Sequence, residues 1–149
     1  MYKNILLPTD GSPLSDRAVN AAIHLAKLTG ARIIAFHALE PYPLQEAYTA
    51  EGSGIPELNP EHFAERSRDY AKRVLDKITA AATIENVVCT TAWVVSHSAS
   101  QAIVDKANEA GCDLIVMASH GRRGLQGFLL GSETQKVLTH SSIPVLVYR

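Results

Sequence analysis

The sequence predicts a doubly wound α/β fold, a single five-stranded parallel sheet with helices on both faces. Three observations carry that prediction. Short apolar runs alternate along the chain with longer segments of helical period. The runs are continuous rather than alternating polar and apolar, as strands covered on both sides are. And 149 residues, 46% hydrophobic and 19% charged, are the size and composition of one soluble domain, read here as spanning 1–149.

Ile5-Leu6-Leu7 is the first run and stops at Pro8. Ser12 and Pro13 fit a helix N-cap and first helical position. Leu14, Ala18, Ala21, Leu25 and Leu28 follow at helical spacing, and Gly30 supplies the stop. Ile33 to Phe36 is the second strand. From about 40 to 58 no hydrophobic period survives, and Pro41, Pro43 and Pro56 sit among Gly52, Ser53 and Gly54. This reads as a long loop within the domain. Asn59-Pro60-Glu61 opens a helix with Phe63, Tyr70, Val74 and Ile78 on one face. Val87 to Val95 is the third strand. Ser98 to Gln101 matches a capping box and starts a helix through Ile103, Ala107 and Ala110 to Gly111. Leu114 to Met117 is the fourth strand. A glycine-rich stretch from Gly121 to Gly131 leads to Ser132–Gln135, a second capping-box pattern opening a short helix. Ile143 to Tyr148, with Pro144 near its start, is the fifth strand.

Composition narrows the function. Lys and Arg total 14 against 15 Asp and Glu, a formal charge of −1, without the basic excess of nucleic-acid or anionic-membrane binders. Cys89 and Cys112 form no CxxC pair or disulfide framework. No signal-peptide pattern and no long apolar span is present, so a cytoplasmic location is expected. GxxxxGK[ST] and GxGxxG are both missing, which disfavours P-loop NTPases and dinucleotide oxidoreductases.

In parallel α/β sheets ligands bind beyond the carboxyl ends of the strands, at the point where strand order reverses. The strongest candidate there is Ala118-Ser119-His120-Gly121-Arg122-Arg123-Gly124, continuing to Gly131-Ser132. It leaves a strand end and finishes on a helix N-terminus, whose free N–H groups attract an anion. The alternative is a turn and a capped helix with no ligand. Asp10, at the end of the first strand, either contacts a ligand or stabilises the start of the first helix. His120 lies in the loop, and Arg122 and Arg123 either pair with phosphate or are solvated. No two histidines lie four apart on a helix, so no zinc helix is indicated, and the serines fit caps better than nucleophiles.

With these residues in view, the chain resembles the universal stress protein family over its whole length. The resemblance rests on Ile5 to Ser12, Ala35-Phe36-His37-Ala38, Asp113 to Gly121, Leu130-Gly131-Ser132 and Pro144 to Val147. The nucleotide-binding branch carries G-x2-G-x9-G-[ST], matched by Gly121, Gly131 and Ser132. Ala118 stands at the first glycine, a change that matters only if φ must be positive there. His97 and Ala99 stand where the family often has Gly and Pro.

The resemblance implies an adenine nucleotide alpha hydrolase-like fold binding ATP or AMP, with Mg accompanying ATP. By position, Pro8, Thr9 and Asp10 would line the end of the first strand and Ala38 would lie against adenine. Met117, Ala118, Ser119, His120, Gly121, Arg122, Arg123 and Gly124 would wrap the ribose and first phosphates. Gly131, Ser132, Glu133 and Thr134 would hold the phosphate tail. It also implies a homodimer through the C-terminal strand and a stress-response sensor or regulator with little or no hydrolysis. The alternatives are a dimeric interaction module of the same family that binds no nucleotide, and an enzyme that uses ATP chemically.

Overall fold

A computed structural model describes residues 1–43, 59–121 and 130–149. The described residues form β1 (Asn4–Pro8), α1 (Pro13–Thr29), β2 (Arg32–Leu39), α2 (Pro60–Ile84), β3 (Cys89–Val95), α3 (Ala99–Glu109), β4 (Leu114–Ala118), α4 (Ser132–His140) and β5 (Val145–Tyr148). The strands make one sheet in the order β3-β2-β1-β4-β5, and every pairing is parallel. The expected doubly wound sheet is therefore present. Most of the expected 40–58 loop lies outside the described residues.

The central strands are apolar because helices cover both of their faces. Ile5, Leu7, Ile33, Ala35, Leu114 and Val116 point to the side packed by α1 and α2. Leu6, Phe36, Ile115 and Met117 point to the side packed by α3 and α4. Truncating one of these to alanine costs about 2–5 kcal/mol. The outer strands depart from the expectation of burial on both faces. Most of β3 is exposed, including Trp93 and Val95, and β5 alternates, leaving Leu146 and Tyr148 exposed. They are apolar as strands at the sheet's edges are, through side-chain fit to the pleat rather than full burial.

The buried stripe of α1 also differs from the expected one. Ser15, Ala18, Val19, Ala22, Ile23 and Ala26 face the sheet, while Leu28 is exposed and Leu25 only flanks the core. Small residues at the contact let the helix lie close to the strands, and the leucines spread to its margins. On α2 the deepest residues are Ala71, Leu75, Ile78 and Ala82, again one step round from Tyr70 and Val74. Among the described residues no helix is long and apolar enough to cross a membrane.

Candidate functional site

The strand order reverses between β1 and β4, and the carboxyl ends of these two strands open into a cleft of about 1120 Å³. Ligand pockets commonly hold about 300–1,000 Å³. Pro8, Thr9 and Asp10 line it from β1, Ala38 from β2, and Met117, Ala118, His120 and Gly121 from β4. Gly131, Ser132, Glu133 and Thr134 line it from the start of α4. Arg122, Arg123 and Gly124 lie outside the described residues.

The turn after β1 is closed by its own side chains. The Gly11 N–H donates to Thr9 Oγ1 (3.1 Å) and the Ser12 N–H to Asp10 Oδ1 (3.0 Å). Ser12 Oγ accepts from the Ser15 N–H (3.2 Å), and Thr9 and Ser15 share a hydroxyl hydrogen bond. Gly11 sits at φ 75°, where a side chain is disfavoured. Tyr70 of α2 donates from its hydroxyl to the Asp10 carbonyl (2.7 Å), and His37 Nδ1 donates to the Thr9 carbonyl (2.6 Å). Asp10 therefore holds the start of α1, and it also lines the cleft.

The turn after β4 is built differently. Ala118 ends the strand, and among the described residues only Asn86 has a positive φ without being glycine. Alanine thus occupies this position without backbone strain. Ser119 is buried beneath the cleft rather than on its wall. Its N–H donates to the Tyr148 carbonyl (2.8 Å) and its own carbonyl accepts from the Gly131 N–H (2.9 Å). Its hydroxyl meets His120 Nδ1 at 3.1 Å. A Cβ on Gly131 would lie 3.3 Å from the Ser119 carbonyl oxygen and 3.4 Å from His120 Cα. The close approach of that backbone, and not the φ of −61°, is what favours glycine there.

The expected Ser132–Gln135 capping box does not form. Gly131 is the N-cap, Ser132 is the first helical residue, and no side chain caps α4. Gln135 instead donates from Nε2 to the Leu130 carbonyl (3.0 Å). The pull of the Ser119 carbonyl on the Gly131 amide sets where the helix starts. Thr134 is buried and gives its hydroxyl to the Ala118 carbonyl (3.1 Å), tying α4 to β4. Glu133 reaches out of its own helix: Oε2 accepts from the Ser100 N–H of α3 (2.8 Å) and Oε1 lies 2.8 Å from Lys136 Nζ. Burial pushes its carboxyl up, but the bonds from Lys136 and Ser100 outweigh burial and hold it below its ordinary value.

Sequence reasoning missed the α2 wall, where Tyr70, Arg66 and Arg73 line the cleft. His37 at the end of β2 and Ser96 and His97 beyond β3, at strand ends where a ligand is expected, line it too, with Glu40. Phe63 and Tyr70 were assigned to the core face, and both are only half-buried, on the margin between core and cleft. Arg66 and Arg73 at the same helical spacing carried the signal that this margin is polar. Among the described residues no group of three or more His, Cys, Asp or Glu converges, so they offer no ready-made set of ligands for Mg.

The chain as a whole is similar to known proteins. A model of the universal stress protein family matches residues 1–149. Universal stress protein YxiE of Bacillus subtilis is 33% identical over 153 residues, covering 100% of this chain and 100% of its own. Among solved structures, hypothetical protein MJ0577 matches with a TM-score of 0.80 at 28% identity, over 99% of this chain and 96% of that one. A universal stress protein solved in complex with cAMP matches with a TM-score of 0.69 at 25% identity, over 99% of this chain and 97% of that one. The adenine nucleotide alpha hydrolase-like fold is common to them.

Proposed function

The chain belongs to the universal stress protein family, and from that premise we propose that it binds an adenine nucleotide, ATP or AMP, as a stress-response sensor or regulator with little or no hydrolysis. The observation that carries the reading is the uncapped N-terminus of α4, which opens on the cleft beside Ser132. Its first N–H groups are donors suited to a phosphate. Asp10 on the opposite turn stands where a ribose hydroxyl would donate, and Ala38 supplies an apolar wall for the base. Support also comes from the relative solved with cAMP. Each hydrogen bond to a charged group adds about 1.5–3 kcal/mol, so three or four approach the roughly 8 kcal/mol of micromolar binding. The same reading has the protein in the cytoplasm and makes it a homodimer through β5, whose exposed Leu146 and Tyr148 would be covered by a second copy.

The test is the nucleotide content of the purified protein, released by heat and resolved by chromatography, followed by calorimetric titration of AMP and ATP into stripped protein. Bound or micromolar adenine nucleotide is the expected result. A folded dimer that takes up neither would replace this reading with that of an interaction module.

A further inference from the structure

The cleft that receives the phosphate also carries a fixed negative charge at the same helix end. Glu133 is the second residue of α4, inside the stretch whose amides face the cleft. Its carboxylate is clamped by the Ser100 N–H and Lys136, so it is held in one place. The charges on the rest of the described wall do not offset it. Asp10, Glu40, Asp69 and Glu133 line the cleft with only Arg66 and Arg73 as full cations. A monophosphate group can satisfy the α4 amides with little added charge. A triphosphate brings further negative charge to a wall on which, among the described residues, carboxylates outnumber Lys and Arg.

Resting on the nucleotide-binding reading above, we propose that Glu133 sets ligand choice in this cleft, favouring adenine nucleotides with one phosphate over the triphosphate. Like charges close together disfavour each other even in a water-like dielectric. The clamp matters because a free carboxylate would swing into solvent, whereas this one is bonded to a second helix. Lys136 neutralises one side of it only, and both side chains remain partly exposed. Glu133 is therefore a determinant of specificity acting through charge, and its role as an acceptor for Ser100 is separable from that charge.

Glutamine separates the two. Glu133→Gln keeps a carbonyl oxygen for the Ser100 N–H and removes the charge. AMP and magnesium-free ATP are titrated calorimetrically into stripped wild-type and variant protein at low and high salt. Wild type is expected to bind AMP more tightly than ATP, by a margin that narrows with salt. In Glu133→Gln both affinities rise, ATP by about fivefold more than AMP, the factor of one unit charge at contact distance in water. Lys136→Gln moves the ratio the other way and covers the case of a Gln variant that does not fold. An ATP-to-AMP ratio unchanged in both variants, or a wild type that prefers ATP, overturns the inference while leaving nucleotide binding standing. No heat with either nucleotide overturns the nucleotide-binding reading and this inference with it.

Discussion

Two helices begin at the carboxyl ends of the central strands, on opposite faces of the sheet, and they begin in opposite ways. α1 follows β1 through a turn in which Thr9, Asp10 and Ser12 each satisfy a backbone N–H. α4 approaches β4 through Gly131, with no side-chain cap. A glycine in place of a side-chain cap gives up only a few tenths of a kcal/mol. The first helix end completes itself within the fold. The second keeps its donors for something else, and the stability forgone at Gly131 is what leaves the site open. In one crevice one turn serves as scaffold and its neighbour, on the proposed function, as receptor.

The largest expected effect breaks the scaffold side. In Gly11→Ala the new Cβ would lie 2.4 Å from Tyr70 Oη and 2.8 Å from Val74 Cγ2 at a positive φ. Strain and overpacking together should cost about 3 kcal/mol, read as a fall in urea midpoint with or without nucleotide. Next comes the receptor side. Gly131→Val should lower nucleotide affinity by about a hundredfold, roughly 2.7 kcal/mol, with a smaller loss in melting temperature. Retained affinity in that variant would remove α4 from the site. Ser12→Ala should cost about 1 kcal/mol, equally in the free and liganded protein. Ser132→Ala should leave the free protein's melting temperature within a degree or so, since an exposed residue away from such features changes stability little, and lower only the ligand-induced rise.

The smallest effect is electrostatic. Hydrogen bonds hold the Glu133 carboxyl below its ordinary value in the fold. Its contribution to stability is therefore complete above the unfolded value of about 4.3 and is lost as pH falls through the lower folded value. The difference in melting temperature between wild type and Glu133→Gln should hold from pH 7 to pH 5 and close below about pH 4. A gap that closed instead between pH 7 and pH 5 would place the carboxyl elsewhere.

These contrasts also show how far sequence reasoning reaches. The central strands were legible because Ile5-Leu6-Leu7 and Leu114 to Met117 are apolar on both faces, and the crevice was expected from the rule that ligands bind beyond the carboxyl ends of parallel strands. The first helix was legible, but its face was read as Leu14, Ala18, Ala21, Leu25 and Leu28, whereas close packing on the sheet kept Ala18 and selected Ser15, Val19 and Ala22 beside it. Ser12 and Ser98 do cap their helices, since such bonds span three residues. The cap at Ser132 does not form because the helix starts one residue earlier than the pattern implies, with Gly131 as N-cap, its amide bonded to the Ser119 carbonyl. Glu133 to Ser100 and Tyr70 to Asp10 join residues 33 and 60 positions apart, a kind of contact that no local pattern announces.

The pairing at the middle of the sheet has a consequence for how the molecule assembles. β1 lies against β4 with Ile5 beside Leu114, and Asp113 accepts the backbone N–H groups of Lys3 and Asn4 at the base of that seam. The two strands that frame the crevice are separated by more than a hundred residues of chain, 109 between Asn4 and Asp113. Closing so long a loop slows folding more than it lowers stability. The first three strands can gather early through β1–β2 and β2–β3, but they carry only half of the crevice. On the proposed function the binding site forms only at the step that brings the last two strands home, so recovery of ligand binding during refolding should coincide with the slowest phase rather than precede it.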